Sequence, residues 1–286
     1  MDAPKIYPLR NDFVFKLVFG KEGNEEILAK LIDALLHFTG DRCIAELTLL
    51  SPLDLKEFHD DKFTIVDVKA TDLAGRRFTI EMQVRELPSF AKRMAYYLAL
   101  LYTGQLREGE SFEKLHPSYG IAILDYVMFD GFEQFQSAFQ FQEKKTGLVL
   151  PDLLELHFLE LPKFKPKPRH LRSRLEKWLH VLRFGEEYTR NKSLPDELRT
   201  DEIMVRVLKE LELVNADEKM RAILEQRDKE ERTRKTELDA AEKKGREEGR
   251  EHVARRMLAE GIDVPFIAKM TGLPVDTVER LKTSLE

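Results

Sequence analysis

The sequence predicts an α/β fold, a mixed sheet flanked by helices, followed by a helical C-terminal region. Three observations lead there. Short β-type runs alternate with segments of helical period over the first half of the chain, a proline-rich basic stretch then interrupts regular structure, and the remainder is helical in pattern and dense in charge.

In chain order, Asn11 and Asp12 form a capping pair ahead of Phe13, Leu17 and Val18, which predicts a first helix. A second follows over 25–36, where Ile27, Leu28, Leu31, Ile32, Leu35 and Leu36 recur at helical spacing. β-type runs are expected at 44–50, 63–69, 78–84, 119–126 and 154–161, with a helix over 89–106 between the third and fourth. The stretch 161–174, LPKFKPKPRHLRSR, holds three prolines and six basic residues and reads as a linker. Helices are expected at 175–188, with Trp178 on the apolar face, and at 196–213.

Between 217 and 256, 25 of 40 residues are charged, 13 basic and 12 acidic, which locates most of the chain's charge excess. Mixed signs without proline predict a long solvated helix, weakened by Gly245 and Gly249, with too few apolar positions for a heptad seam. Residues 263–281 resemble a helix-turn-helix, with Ala268, Gly272, Val278 and Leu281 at packing positions. Its second helix offers Asp276 and Glu279 beside Arg280 and Lys282, a poor set for phosphates, so a packing or self-association module is favoured over DNA reading. The expected layout is a core over 1–162, a basic linker and helical subdomain over 163–215, a charged arm over 216–256 and a small module over 257–286.

Composition excludes several classes. A net charge of -5 argues against a uniform nucleic-acid coat, although a local basic strip remains compatible with it. The single cysteine, Cys43, excludes a disulfide framework. No apolar run approaches the ~18 residues of a membrane span, and no leader pattern opens the chain, so a soluble cytoplasmic protein without membrane contact is expected. The histidines lack zinc-type spacing, and there is no Walker-A loop, dinucleotide fingerprint or GxSxG elbow.

The most informative segment is residues 63–84, which reads as a β-hairpin with its turn over 70–77. Alternation puts Val66, Val68, Phe78, Ile80, Met82 and Val84 on a buried face. Ile65, Asp67, Lys69, Thr79, Glu81 and Gln83 take the other. A loop centred on Ala74 makes residues whose numbers sum to 148 face each other, so Asp67 lies across from Glu81. Facing carboxylates repel. A divalent cation compensates, and Mg²⁺ is commonly held by one or two carboxylates with water and phosphate. The alternative, a solvated strand face neutralised by Lys69 or Arg77, stays open.

The arrangement of Asp67 and then Glu81-Met82-Gln83 on paired strands resembles the PD-(D/E)XK nuclease superfamily. Residues 11–20 (NDFVFKLVFG), 65–84 (IVDVKATDLAGRRFTIEMQV) and 93–112 (RMAYYLALLYTGQLREGESF) are more closely similar to its family of transposases and recombination-promoting nucleases. The resemblance spans roughly residues 5–210 and implies a restriction-endonuclease-like core. It implies Mg²⁺-dependent (or Mn²⁺- or Ca²⁺-dependent) DNA endonuclease chemistry, with Asp67 and Glu81 as metal ligands. The chain departs from the superfamily pattern at Gln83, where lysine is usual. A neutral amide orients water but adds no charge, and Lys69, on the same face as Asp67, is the expected substitute. Glu25 or Glu26 is a candidate third carboxylate. Lys16, Gln105, Lys165 and Arg169 are candidate DNA contacts, with Tyr102 beside Gln105. The rival reading is a catalytically weak or inactive nuclease-fold module that binds DNA or protein. Self-association through the C-terminal helical region is the expected route to a homo-oligomer.

Overall fold

The Asn11 side chain accepts hydrogen bonds from the Phe13 and Val14 amides at 3.1 Å each, which starts α1 (Asp12–Phe19) as the capping pair predicts. Asn24 donates to the Val18 carbonyl at 2.8 Å and turns the chain into α2 (Glu25–Leu35). The structure, a computed structural model, describes residues 5–50, 68–165 and 171–284. It divides the chain into two units, Met1–Arg221 and Ala222–Glu286.

The first unit is built on a six-stranded mixed sheet in the order β1-β2-β3-β4-β6-β5. The strands are β1 (Leu47–Leu49), β2 (Val68–Asp72), β3 (Arg77–Gln83), β4 (Ser118–Leu124), β5 (Gln136–Gln140) and β6 (Leu154–Glu160). β3, β4 and β6 run parallel, while β1–β2, β2–β3 and β5–β6 are antiparallel. α3 (Phe90–Thr103) crosses one face and sets Phe90 and Met94 against Ala122, Leu124 and Phe158. The opposite face carries Phe78 stacked on Tyr119, which also receives Phe38 from the end of α2 at 5.6 Å.

Two expectations about the hairpin change. β2 continues to Asp72, so the turn is confined to residues 73–76, where Gly75 at φ 78° fits a conformation that side chains disfavour. The polar face is not solvated either: Lys69, Thr79 and Glu81 are buried, whereas Val84, expected in the core, is exposed. A sheet with parallel central strands is covered on both faces, and alternation alone does not reveal the second cover.

α4 (Arg174–Asn191) opens on a capping box between Ser173 and Glu176. With α5 (Asp196–Arg199) and α6 (Glu202–Ala216) it belongs to the same unit as the sheet. Trp178 meets Phe19 at 5.9 Å, and Asn215 clamps the Tyr7 backbone through bonds of 2.7 and 3.1 Å. Burial of an aromatic such as Trp178 is worth about 1.5–3 kcal/mol. The basic linker is also partly fastened: Leu161 and Phe164 are buried, their carbonyls accept from Arg183, and Lys163 pairs with buried Glu160 at 2.7 Å.

α7 (Glu218–Ala259) is the long charged helix that the composition predicts, and it runs through both Gly245 and Gly249. In the second unit α8 (Val264–Thr271) and α9 (Val275–Thr283) are joined through Gly272 at φ 66°. Ile267, Ala268, Val278 and Leu281 close around Ala254 of α7. Among the described residues no helix is long and apolar enough to cross a membrane.

Candidate active site

The β2–β3 ladder fixes the geometry. Val68 pairs with Ile80, Lys69 with Thr79 and Ala70 with Phe78, which is the sum-148 register read from the turn. Asp67, the other half of the expected carboxylate pair, lies outside the described residues. Glu81 stands at the middle of β3 beside Ala122 of β4 and is only 3% exposed. Thr79 and Gln83, two residues to either side, share its face beneath α3.

The cation at this acid comes from the helix. Arg93 of α3 donates from Nη2 both to Glu81 Oε1 and, at 2.9 Å, to Gln83 Oε1, and its guanidinium lies 5.1 Å from the Phe90 ring centre. Gln83 spends its other end on the Arg85 carbonyl, donating from Nε2 at 2.8 Å. Burial pushes the Glu81 carboxyl above its usual pKa. Arg93 opposes that shift, and the negative charge of Asp12 on α1 adds to it. The solvated-face alternative therefore fails at Glu81, which is buried and neutralised by Arg93 rather than by Lys69 or Arg77.

Four polar atoms in this region are buried without a hydrogen-bond partner among the described residues: Glu81 Oε2, Arg93 Nε, Thr79 Oγ1 and Tyr126 Oη. The Tyr126 hydroxyl is pushed up to about 12 by burial and by the acids Glu86, Glu81 and Glu160, with Arg93 opposing. An unsatisfied buried polar atom costs about 1–3 kcal/mol, so these atoms call for partners beyond the described residues, whether from the chain itself or from a bound ion or water. The free Glu81 oxygen is hard and anionic, and it fits an oxygen-preferring divalent ion. Among the described residues no group of three metal-ligating side chains assembles.

The remaining candidates separate. Lys69 is buried on β2, and burial lowers its pKa to about 8; no described carboxylate pairs with it. Lys16 is half-buried on α1 and Lys165 is exposed, while Arg169 lies outside the described residues. Gln105 spends both ends internally: its Nε2 donates to the His116 carbonyl at 2.9 Å and its Oε1 accepts from the His116 amide at 2.9 Å, which fastens the end of α3 to the start of β4. Tyr102, at the end of α3, is half-buried. Glu25 accepts from the Gly23 amide, and Glu26 pairs with Arg206 of α6. Among the described residues the acid that acts on Glu81 is neither of these but Asp12. The sequence offers Asp12 as a cap, and its second role has no local signal. Arg93 does leave one: it is a charge set between the buried positions Phe90 and Met94 of an amphipathic helix.

A protein-family model described as PD-(D/E)XK nuclease family transposase matches residues 9–241. The chain belongs to this family. No curated protein and no solved structure matches it. The match takes in α1, the hairpin, α3 and the six-stranded sheet, and it ends within α7, so α8 and α9 lie beyond it. Membership in the PD-(D/E)XK nuclease family carries a nuclease-like enzymatic role in general, and nucleases of this kind generally use divalent metal ions.

Proposed function

We propose that the chain is a metal-dependent DNA endonuclease that hydrolyses phosphodiester bonds. The observation behind this reading is the buried Glu81 carboxylate, with one oxygen bonded to Arg93 and the other unpartnered among the described residues, on the hairpin that the family match covers. Asp67 and Glu81 are the residues that would hold the ion, Mg²⁺ first and Mn²⁺ or Ca²⁺ as substitutes. When bound, such an ion polarises a phosphoryl oxygen and lowers the pKa of a coordinated water.

The chain's own groups do the rest. Burial beneath α3 keeps the Glu81 carboxylate out of bulk water, which strengthens its electrostatics. Arg93 holds that carboxylate in one orientation, and Gln83 holds Arg93. Lys69, on the same sheet face, is a second cation, and its depressed pKa leaves part of it neutral in mildly alkaline solution.

The test is cleavage of supercoiled plasmid with Mg²⁺ by the wild type, Asp67→Ala, Glu81→Gln and Lys69→Ala. Loss in the first two variants supports the site. Equal activity in all four proteins removes it, and undiminished cleavage by Lys69→Ala alone removes Lys69. Absence of cleavage in every protein favours the rival reading, a nuclease-fold scaffold, for which the neutral Gln83 at the usual lysine position is the motivating feature.

A further inference from the structure

We propose that Arg93 is the cation that receives a substrate phosphate in this site, and that Gln83 is neutral because its task is to hold Arg93. This inference rests on the nuclease reading above and assigns a phosphate-binding role to one side chain of that site.

Arg93 Nη2 bridges Glu81 Oε1 and Gln83 Oε1, while the hydrogen bonds of Gln83 Nε2 to the Arg85 carbonyl and of Gln83 Oε1 to Arg93 fix both ends of the amide. Phe90 lies against the guanidinium and limits its swing. A guanidinium has five donors. Among the described residues Nη2 gives its two hydrogens to Glu81 and Gln83 and Nε is buried without a partner, so Nη1, on a side chain that is 23% exposed, is the nitrogen left for an incoming group. A single charge-assisted bond from Nη1 suits one phosphate oxygen.

An ammonium at position 83 would stand within hydrogen-bonding distance of the guanidinium, like charge against like, so a lysine there and Arg93 exclude one another. The amide removes that conflict and supplies the acceptor that Arg93 needs. Lys69 has no comparable contact with Glu81 among the described residues.

The test uses the full chain with Arg93→Met, Gln83→Lys and the double substitution. Binding of a fluorescein-labelled DNA duplex is followed by anisotropy with Ca²⁺ replacing Mg²⁺, over a range of salt, and cleavage is followed separately with Mg²⁺. Arg93→Met is expected to weaken binding about tenfold to a hundredfold and to lower the salt slope by about one. Gln83→Lys alone is expected to lower cleavage about tenfold or more, because two cations then compete for one place. The double variant is expected to regain most of both losses; a purely structural Arg93, lost in a variant whose fold is intact, would leave the salt slope at the wild-type value. Should Arg93→Met fail to fold, Arg93→Gln keeps a donor for Glu81 and takes the same readouts. Wild-type binding and salt slope in a folded Arg93 variant overturn the proposal, as does a double variant no better than Arg93→Met. Wild type that binds duplex but does not cleave it sinks the nuclease reading, while the binding series still decides the role of Arg93.

Discussion

Removing Arg93 should unsettle the sheet by an amount that the structure bounds. Glu81 is almost fully buried, burial raises its carboxyl pKa, and Asp12 adds a second negative charge nearby. Arg93 is the cation bonded to it. In an Arg93→Ala protein the carboxylate must stay charged without that partner or take up a proton. Deleting one partner of a buried pair costs about 3–5 kcal/mol. Protonation caps the loss, because neutralising an ordinary glutamate at pH 7 costs about 4 kcal/mol. The 23% exposure of the Arg93 side chain admits some screening, so the expected loss is about 2–4 kcal/mol. For a unit of this size that lowers the melting temperature by about 5–15 °C. The measurement is urea and thermal unfolding at pH 7 with chelator present. The companion is Glu81→Gln/Arg93→Ala, in which no charge is stranded, and which should melt close to Glu81→Gln alone. The reasoning is refuted by a loss below about 1 kcal/mol in Arg93→Ala, or by a double variant as unstable as the single.

Three further outcomes follow from other parts of the fold. Gly75→Ala combines a positive φ with a Cβ 2.5 Å from the His116 ring, so it should cost about 2 kcal/mol or more, read as a lower urea midpoint; an unchanged midpoint would show that the ring moves aside freely. His180 is buried, and burial, with Arg183 nearby, depresses its pKa below the unfolded value near 6.5. The unfolded chain therefore binds the proton first, and stability that is full above about pH 6.5 falls on acidification by up to about 1.4 kcal/mol per pH unit. His180→Gln should flatten that slope between about pH 6.5 and 5, and an unaltered slope would place the titration elsewhere. Deleting α8 and α9 should leave duplex affinity in a gel shift within about twofold, since α9 sets Asp276 and Glu279 beside its basic residues; a large loss would make α9 the DNA reader.

The hairpin register was legible because it is local. A Gly-containing turn and strict alternation fix which residues face each other, and the ladder from Val68–Ile80 to Thr71–Arg77 follows the same sum. β5 was not legible. Its sequence, QSAFQ, is polar and mostly exposed, and as an edge strand it pairs only with β6. What places it is distant in the chain: Gln136 donates to the Leu35 carbonyl at 2.7 Å, and Phe139 packs against Phe129 and Phe158. A short edge strand recruited by such contacts has no hydrophobic period of its own to detect.

The same distinction explains why Gln83 misleads when read alone. Along β3 the amide looks like the loss of a positive charge beside Glu81. In the fold, α3 returns a guanidinium to that carboxylate from twelve residues further along the chain, and the amide is one of the two groups that hold it. Charge at a site is set by what lies within hydrogen-bonding distance, whichever element supplies it. Among the described residues, the Glu81 carboxylate is paired with one cation, Arg93, as an acid beside a strand lysine would be. A neutral residue at position 83 therefore does not leave Glu81 without a cation, because Arg93 of the neighbouring helix is bonded to both.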